Sequence, residues 1–335
     1  LVSVHGWRAS RRRIKERMPD AIVLPMVPRM RNWRLNLAWL ILLCLVLRPT
    51  GVISRGVIAA WMALRARDRG LVGRVCFDGR GAYAAEWEEY RIVNDDALIA
   101  LFRPLEQEAV QRSDMRLAVS HALVAHWRER YGYQGHEHVV IPCTLGSHDF
   151  TQAAFKERSD TRIRLVYSGS SAGWQSFQLL EALLVPLLLQ DERVQVLFLS
   201  PPDPQVDALR QRFPGRVEQT WVDAARVAGI LADQDMGILL REDTITNRVS
   251  SPTKFAEYLA AGLPVIISDA IGDFSATVRA QGLGVVVSPG MPLVLQGPTS
   301  IADRERMRTF AKEHYTKDVY RSAYERILRT LTERS

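Results

Sequence analysis

Short apolar runs alternate with helical stretches along almost the whole chain, and that alternation leaves few folds open. In the first half, VISRG (Val52–Gly56), RVCFDG (Arg74–Gly79), MRLAVS (Met115–Ser120) and HVVIP (His138–Pro142) read as strands. Between them, Ala82–Glu89, Asp95–Arg112 and His121–Tyr131 read as helices. Strands that are apolar throughout, rather than on alternate residues, predict a parallel sheet covered on both faces. The second half repeats the pattern with IRLVYSG, VQVLFLS, RVEQTWV, MGILL, PVIISD and GVVV as strands. The polar stretch Thr151–Thr161 has no apolar period and separates the two halves. The expected organisation is therefore α/β. Residues 1–152 form one doubly wound, Rossmann-like domain and 160–300 a second, with 301–335 a helical tail returning to the first. Two such domains in tandem enclose a cleft at the carboxyl ends of their sheets, where ligands bind.

Composition excludes more than it selects. The 335 residues are 47% hydrophobic and 24% charged, which rules out a disordered or fibrous chain. Three cysteines (Cys44, Cys76 and Cys143) lie far apart with no CxxC, so neither a disulfide framework nor a zinc site is expected, and a reducing, cytoplasmic setting follows. The net charge of +7 is mild, but Arg8, Arg11, Arg12, Arg13, Lys15 and Arg17 are bunched with Glu16 the only acid among them. That run reads either as a solvated helix face or as a contact with anionic lipid headgroups, phosphate-bearing substrates or nucleic acid; a peripheral contact with an anionic membrane, and no nucleic-acid partner, is expected. Leu35–Leu47 (LNLAWLILLCLVL) is the most apolar stretch, yet it falls short of the roughly 20 residues a bilayer span needs. A buried core helix is its expected place, with a helix dipping into one leaflet the alternative. The chain opens on Leu1 in a strand-like LVSVH, which predicts that a true start is missing.

The chemistry concentrates between Arg241 and Asp273. A polar loop, EDTITNRVSS, follows the MGILL strand; Ser251 suits an N-cap and Pro252 the first helical position, so a helix is expected to start there. A helix start offers free N–H groups and a positive dipole end to an anion. Lys254 in the first turn opposes that dipole unless an anion is present, and Glu257 lies on the same face one turn further in. This pairing suits a nucleotide diphosphate, with Ser251, Thr253 and Lys254 towards phosphate and Glu257 on ribose hydroxyls. The plainer alternative is a surface helix on which Lys254 and Glu257 pair with each other. Gly262 ends the helix, and Gly272 and Asp273 turn the chain after the following strand, again at the cleft.

The run SPTKFAEYLAAGLPVIISDAIGD resembles the signature of family 4 and related GT-B glycosyltransferases. Glu257 matches the acid that binds the donor ribose in that pattern. Val249 stands where the family often has a second glutamate, so the resemblance says nothing of the donor sugar; Arg241, Arg248 and Lys254 are expected to supply the phosphate charge. LVYSGSSAGWQ resembles the first strand and loop of the family's nucleotide-binding domain, where the small residues Ser168, Gly169 and Ser170 let backbone amides approach a pyrophosphate. Trp174 and Gln175 stand where many relatives carry basic residues. AVSHALVAHWRERYGY and VVIPCTLGSHDF resemble the end of the family's first domain, with Cys143 in place of an asparagine, and CFDGRGAYAAE falls where relatives line the cleft. The resemblance runs from about residue 70 to 330 and is specific only in 240–290.

At the ends of the first domain's strands, Asp78, Arg80 and His121 are candidates to touch acceptor or reacting centre. The alternatives are an Asp–Gly turn with Arg80 paired to Glu86, and a structural histidine. Trp221, Trp174 and Tyr167 are either base-stacking or core aromatics. No HExxH motif is present in the sequence. The resemblance implies transfer of a sugar from a nucleotide-diphosphate-sugar donor to a saccharide or lipid-linked acceptor, with retention, as in polysaccharide or glycolipid assembly. No metal and no cofactor beyond the donor are expected. A nucleotide-sugar epimerase of the same shape and a non-catalytic nucleotide-sugar-binding partner remain open.

Overall fold

The computed structural model describes residues 2–3, 6–26, 32–146, 150, 154–155, 157, 159–169, 176–288 and 290–333. A short parallel pair, β1 (Val2–Ser3) and β2 (Pro25–Met26), flanks helix α1 (Trp7–Arg17) and is followed by α2 (Leu35–Leu47). The first main sheet is parallel, in the order β3 (Gly51–Arg55), β4 (Arg74–Gly79), β5 (Met115–Ala118), β6 (His138–Val140). Its crossovers are α3 (Val57–Arg67), α4 (Tyr83–Tyr90) with α5 (Asp96–Arg112), and α6 (His121–Tyr131). Strand β4 is buried on consecutive residues from Val75 to Gly79, as a strand covered on both faces must be.

The second sheet takes six parallel strands: β7 (Ile163–Ser168), β8 (Val194–Leu199), β9 (Val217–Thr220), β10 (Met236–Leu239), β11 (Val265–Ser268) and β12 (Gly284–Val287). Their order, β12-β11-β10-β7-β8-β9, reverses between β7 and β10. The helices are α7 (Phe177–Gln190), α8 (Pro204–Arg212), α9 (Ala224–Ala232), α10 (Ile245–Arg248), α11 (Thr253–Ala260), α12 (Phe274–Gln281), α13 (Ile301–Tyr315) and α14 (Arg321–Thr332). Helix α11 is the centre of this half: Phe255, Tyr258 and Leu259 are fully buried with Ile267, Phe274, Met307 and Tyr315. Phe255 stacks on Phe274 with ring centroids 4.2 Å apart. A side chain at Gly237 would run into the Tyr258 ring, so β10 can lie against α11 only with glycine there.

Three expectations change. The loop after β10 contains the short helix α10, started by the Thr244 hydroxyl accepting from Asn247 N–H at 3.3 Å. The tail divides: α13 stays on the second core through Met307 and Ala311, and α14 crosses beneath the first sheet, where Ile327 and Leu331 meet Cys76, Met115 and Ile141. Helix α2 is not a core helix. Its inner face packs Cys44 and Leu40 against Ala63 and Leu64 of α3, but α3 already covers the sheet. Among the described residues the outer face therefore finds no apolar partner, and Leu35, Leu42, Leu45 and Val46 are between 51% and 73% exposed. Cys44 and Cys76 are buried and Cys143 is half-buried, all three as free thiols.

Candidate functional site

The second sheet reverses direction between β7 and β10, and the crevice at the carboxyl ends of the strands at such a point is the usual ligand position. Ser168 ends β7, Arg241 follows β10, and the first turn of α11 faces both. Lys254 Nζ donates to Ser168 Oγ at 3.3 Å across this crevice. Tyr258, one turn further along α11, holds the strands in place from below. Its hydroxyl accepts from Ser168 N–H at 2.8 Å and donates to the Ile238 carbonyl at 3.2 Å.

Burial pulls the guanidinium of Arg241 down from its ordinary value, although an arginine remains charged. No carboxylate pairs with it among the described residues; its Nη1 donates to Asn247 Oδ1 at 3.2 Å and its Nε is buried without an acceptor. Asn247, fully buried, is itself fixed by donating to the Tyr90 hydroxyl and the Glu242 carbonyl, each at 3.0 Å. Lys254 and Arg241 thus bring two cations to the crevice, and the Thr253 and Lys254 amides meet no acceptor among the described residues. An anion is what such a place holds. Glu257 follows one turn along α11, half-buried.

Several anticipated roles fail on geometry. Pro252, not Ser251, occupies the N-cap of α11, and no side chain caps that helix. The Ser251 hydroxyl turns away and accepts from Cys143 N–H of the first domain at 3.0 Å. The Ser168 amide is taken by Tyr258 and the Gly169 amide by the Leu199 carbonyl at 3.2 Å, so neither is free for a pyrophosphate. Ser170 and Trp174 lie outside the described residues. Arg248 is drawn off by a two-point pair with Asp243, at 2.5 and 2.8 Å, and stays 60% exposed. Thr253 is exposed at the helix start. Trp221 is 65% exposed, and Tyr167 is a core residue against Phe198.

On the first domain, Asp78 is 3% exposed at the end of β4. It holds two arginines: Arg55 Nε at 2.8 Å, in a hydrogen bond, and Arg80 Nε at 2.9 Å, close but outside hydrogen-bonding angles. Arg80 therefore pairs with Asp78 rather than Glu86. Glu86 is half-buried on α4, and burial raises its carboxyl above the usual range. The His121 ring is exposed, while its backbone N–H is committed to the second domain.

That commitment belongs to a reciprocal clasp between the domains. Asp273 accepts from His121 N–H at 2.7 Å and Ala122 N–H at 3.0 Å, the open start of α6. In return, Glu89 of α4 accepts from Ile245 N–H at 2.9 Å and Thr246 N–H at 3.1 Å, the open start of α10. Each domain caps a helix of the other. Ser120 Oγ adds a bond to the Val249 carbonyl at 2.7 Å, and the Val249 side chain is buried in the first domain's core cluster. No sequence pattern singled out Arg55, Glu89, Tyr90 or Asn247, because their partners lie far along the chain.

No family profile and no curated protein matches the sequence. Solved structures do match. A glycosyltransferase from Rickettsia africae superposes at a TM-score of 0.71 and 13% identity, over 97% of this chain and 88% of the other. Anabaena HepE, solved in complex with UDP, gives 0.66 and 14% over 96% and 89%. Sucrose-phosphate synthase from Thermosynechococcus elongatus gives 0.64 and 15% over 93% and 82%. These neighbours are GT-B glycosyltransferases, and the present chain has their architecture: two Rossmann-like domains facing a central cleft, with a C-terminal helix packed back on the first.

Proposed function

We propose that this chain transfers a glycosyl group from a nucleotide-diphosphate sugar, bound at the start of α11, to a saccharide or lipid-linked acceptor held by the first domain, in a cytoplasmic setting. The observation that carries the reading is two cations beside the strands where the second sheet reverses: Lys254, bonded to Ser168, and half-buried Arg241, with no carboxylate partner among the described residues. As the sugar–oxygen bond breaks, negative charge grows on the leaving diphosphate. Lys254, Arg241 and the α11 amides are already in place to meet it, so little reorganisation is required. Glu257 takes the ribose hydroxyls. UDP is the first nucleotide to try, since HepE was solved with it. Asp78 orients Arg55 and Arg80 towards the acceptor side, and His121 stands at the junction. Retention at the anomeric carbon and independence of metal belong to the same reading, which the family-like run around Glu257 supports.

The test is a panel of UDP-, GDP- and ADP-sugars, with release of nucleoside diphosphate followed with and without saccharide acceptors. Acceptor-dependent release is expected. Binding without release would instead favour a non-catalytic nucleotide-sugar-binding partner, a reading to which Val249, buried in the first domain's core, lends weight. Interconversion of free donor would point to an epimerase.

A further inference from the structure

The outward face of α2 is apolar along its length. Leu35, Ala38, Leu42 and Leu45 follow the i, i+3, i+7, i+10 spacing of one helical stripe, and all four are exposed. Val46 extends the stripe at 73% exposure. The opposite face, Asn36, Leu40 and Cys44, packs inward. An ordinary surface helix turns its polar residues outward, whereas α2 carries none on its outer stripe. At about 1.5 Å per residue the helix is about 20 Å long, and no helix among the described residues is long and apolar enough to cross a membrane.

Positive charge stands at both ends of the stripe and on the preceding helix. Arg34 and Arg48 stand exposed at its two ends. Helix α1 adds Arg8, Arg11, Arg12 and Arg13, all exposed, and half-buried Lys15. The two helices are tied to the same segment: Trp7 Nε1 of α1 donates to the Val23 carbonyl at 3.0 Å, and Trp39 Nε1 of α2 to the Pro25 carbonyl at 3.1 Å. Met18 and Ile22, 57% and 72% exposed, lie on the connection between them.

We propose that the α1–α2 face docks on an anionic lipid bilayer. Helix α2 lies in the plane of the interface with its leucine stripe in the acyl boundary, and the α1 arginines rest on the headgroups. Apolar insertion and headgroup attraction are two weak signals that anchor together. Lipid is favoured over nucleic acid because the stripe would leave apolar surface against phosphate. It is favoured over a second copy of this chain because a symmetric contact through α2 would crowd two sets of α1 arginines, and one short stripe is small beside the roughly 800 Å² per partner of a stable interface. The proposal does not depend on which sugar is transferred, or on whether any is.

Flotation of the whole chain with vesicles tests it, using pure phosphatidylcholine and phosphatidylcholine with 30% phosphatidylglycerol. Binding at least ten-fold stronger to the anionic vesicles is expected. The double variant Leu42→Glu/Leu45→Glu should lose that binding at any salt concentration. Arg11→Glu/Arg12→Glu/Arg13→Glu should lose the preference for the anionic vesicles. All five positions are exposed, so unchanged circular dichroism and Tm are expected, and Leu42→Ser serves as a milder substitute if the double variant misfolds. Equal or absent binding to both vesicles overturns the proposal. So does binding indifferent to the α2 substitutions, or a dimer in light scattering that the Leu42 variants dissociate without any vesicle binding by the wild type.

Discussion

Three side chains carry separable consequences. Glu257→Ala should weaken binding of a nucleoside diphosphate roughly 10- to 100-fold, the worth of a hydrogen bond to a charged group, with the fold intact in circular dichroism. Unaltered affinity in calorimetry would return Glu257 to a simple helix-surface role. Tyr258→Phe removes a hydroxyl that serves two buried backbone groups, the Ser168 amide and the Ile238 carbonyl. A loss of about 2 kcal/mol in urea denaturation is expected, since both groups are left without partners. Glu106 is fully buried and accepts from the Tyr83 and Ala84 amides and from the Tyr131 hydroxyl. Burial nevertheless lifts its carboxyl to about 7 from an ordinary 4.5. The folded chain then binds this proton more tightly than the unfolded one, so Glu106 costs stability as pH rises from about 4.5 to about 7 and no more above that. Glu106→Gln should flatten this part of the stability curve. A variant whose urea midpoints keep the wild-type slope across that window would remove Glu106 from the account.

At the level of elements, the clasp between α6 and α10 is the feature with most leverage. Asp273→Ala frees the amides of His121 and Ala122, and Glu89→Ala those of Ile245 and Thr246. Loss of a cap costs about 1 kcal/mol, so each change should speed hydrogen exchange at the opposite domain's helix start while leaving both sheets protected. Exchange that rises only on the mutated domain would mean that the clasp does not hold. The strands were largely readable beforehand: β4 occupies the anticipated residues because a doubly covered strand leaves an unbroken apolar run. Helix α6 likewise keeps its expected bounds, since Ser120 is a good cap. What misled was local propensity at places where a distant partner takes over. Ser251 looks like a cap but is claimed by Cys143, 108 residues earlier in the chain. Arg248 looks free but is taken by Asp243. The leucines of α2 look like core, but α3 already occupies the sheet face they would have covered.

For the whole molecule, the two domains meet along a polar seam in which Tyr90, Asn247 and Arg241 form one chain of hydrogen bonds. Asn247 holds Arg241 in place through its side-chain oxygen. Because the diphosphate charge is met by Lys254, Arg241 and helix amides, EDTA should leave transfer intact, and abolished activity would contradict that part of the proposal. Titration of UDP into the wild-type chain and into Lys254→Met, Arg241→Met and Arg248→Met locates the nucleotide. A nucleotide diphosphate at the start of α11 requires the first two variants to bind at least ten-fold more weakly and Arg248→Met to bind as the wild type does. Equal affinity across all four proteins would contradict it.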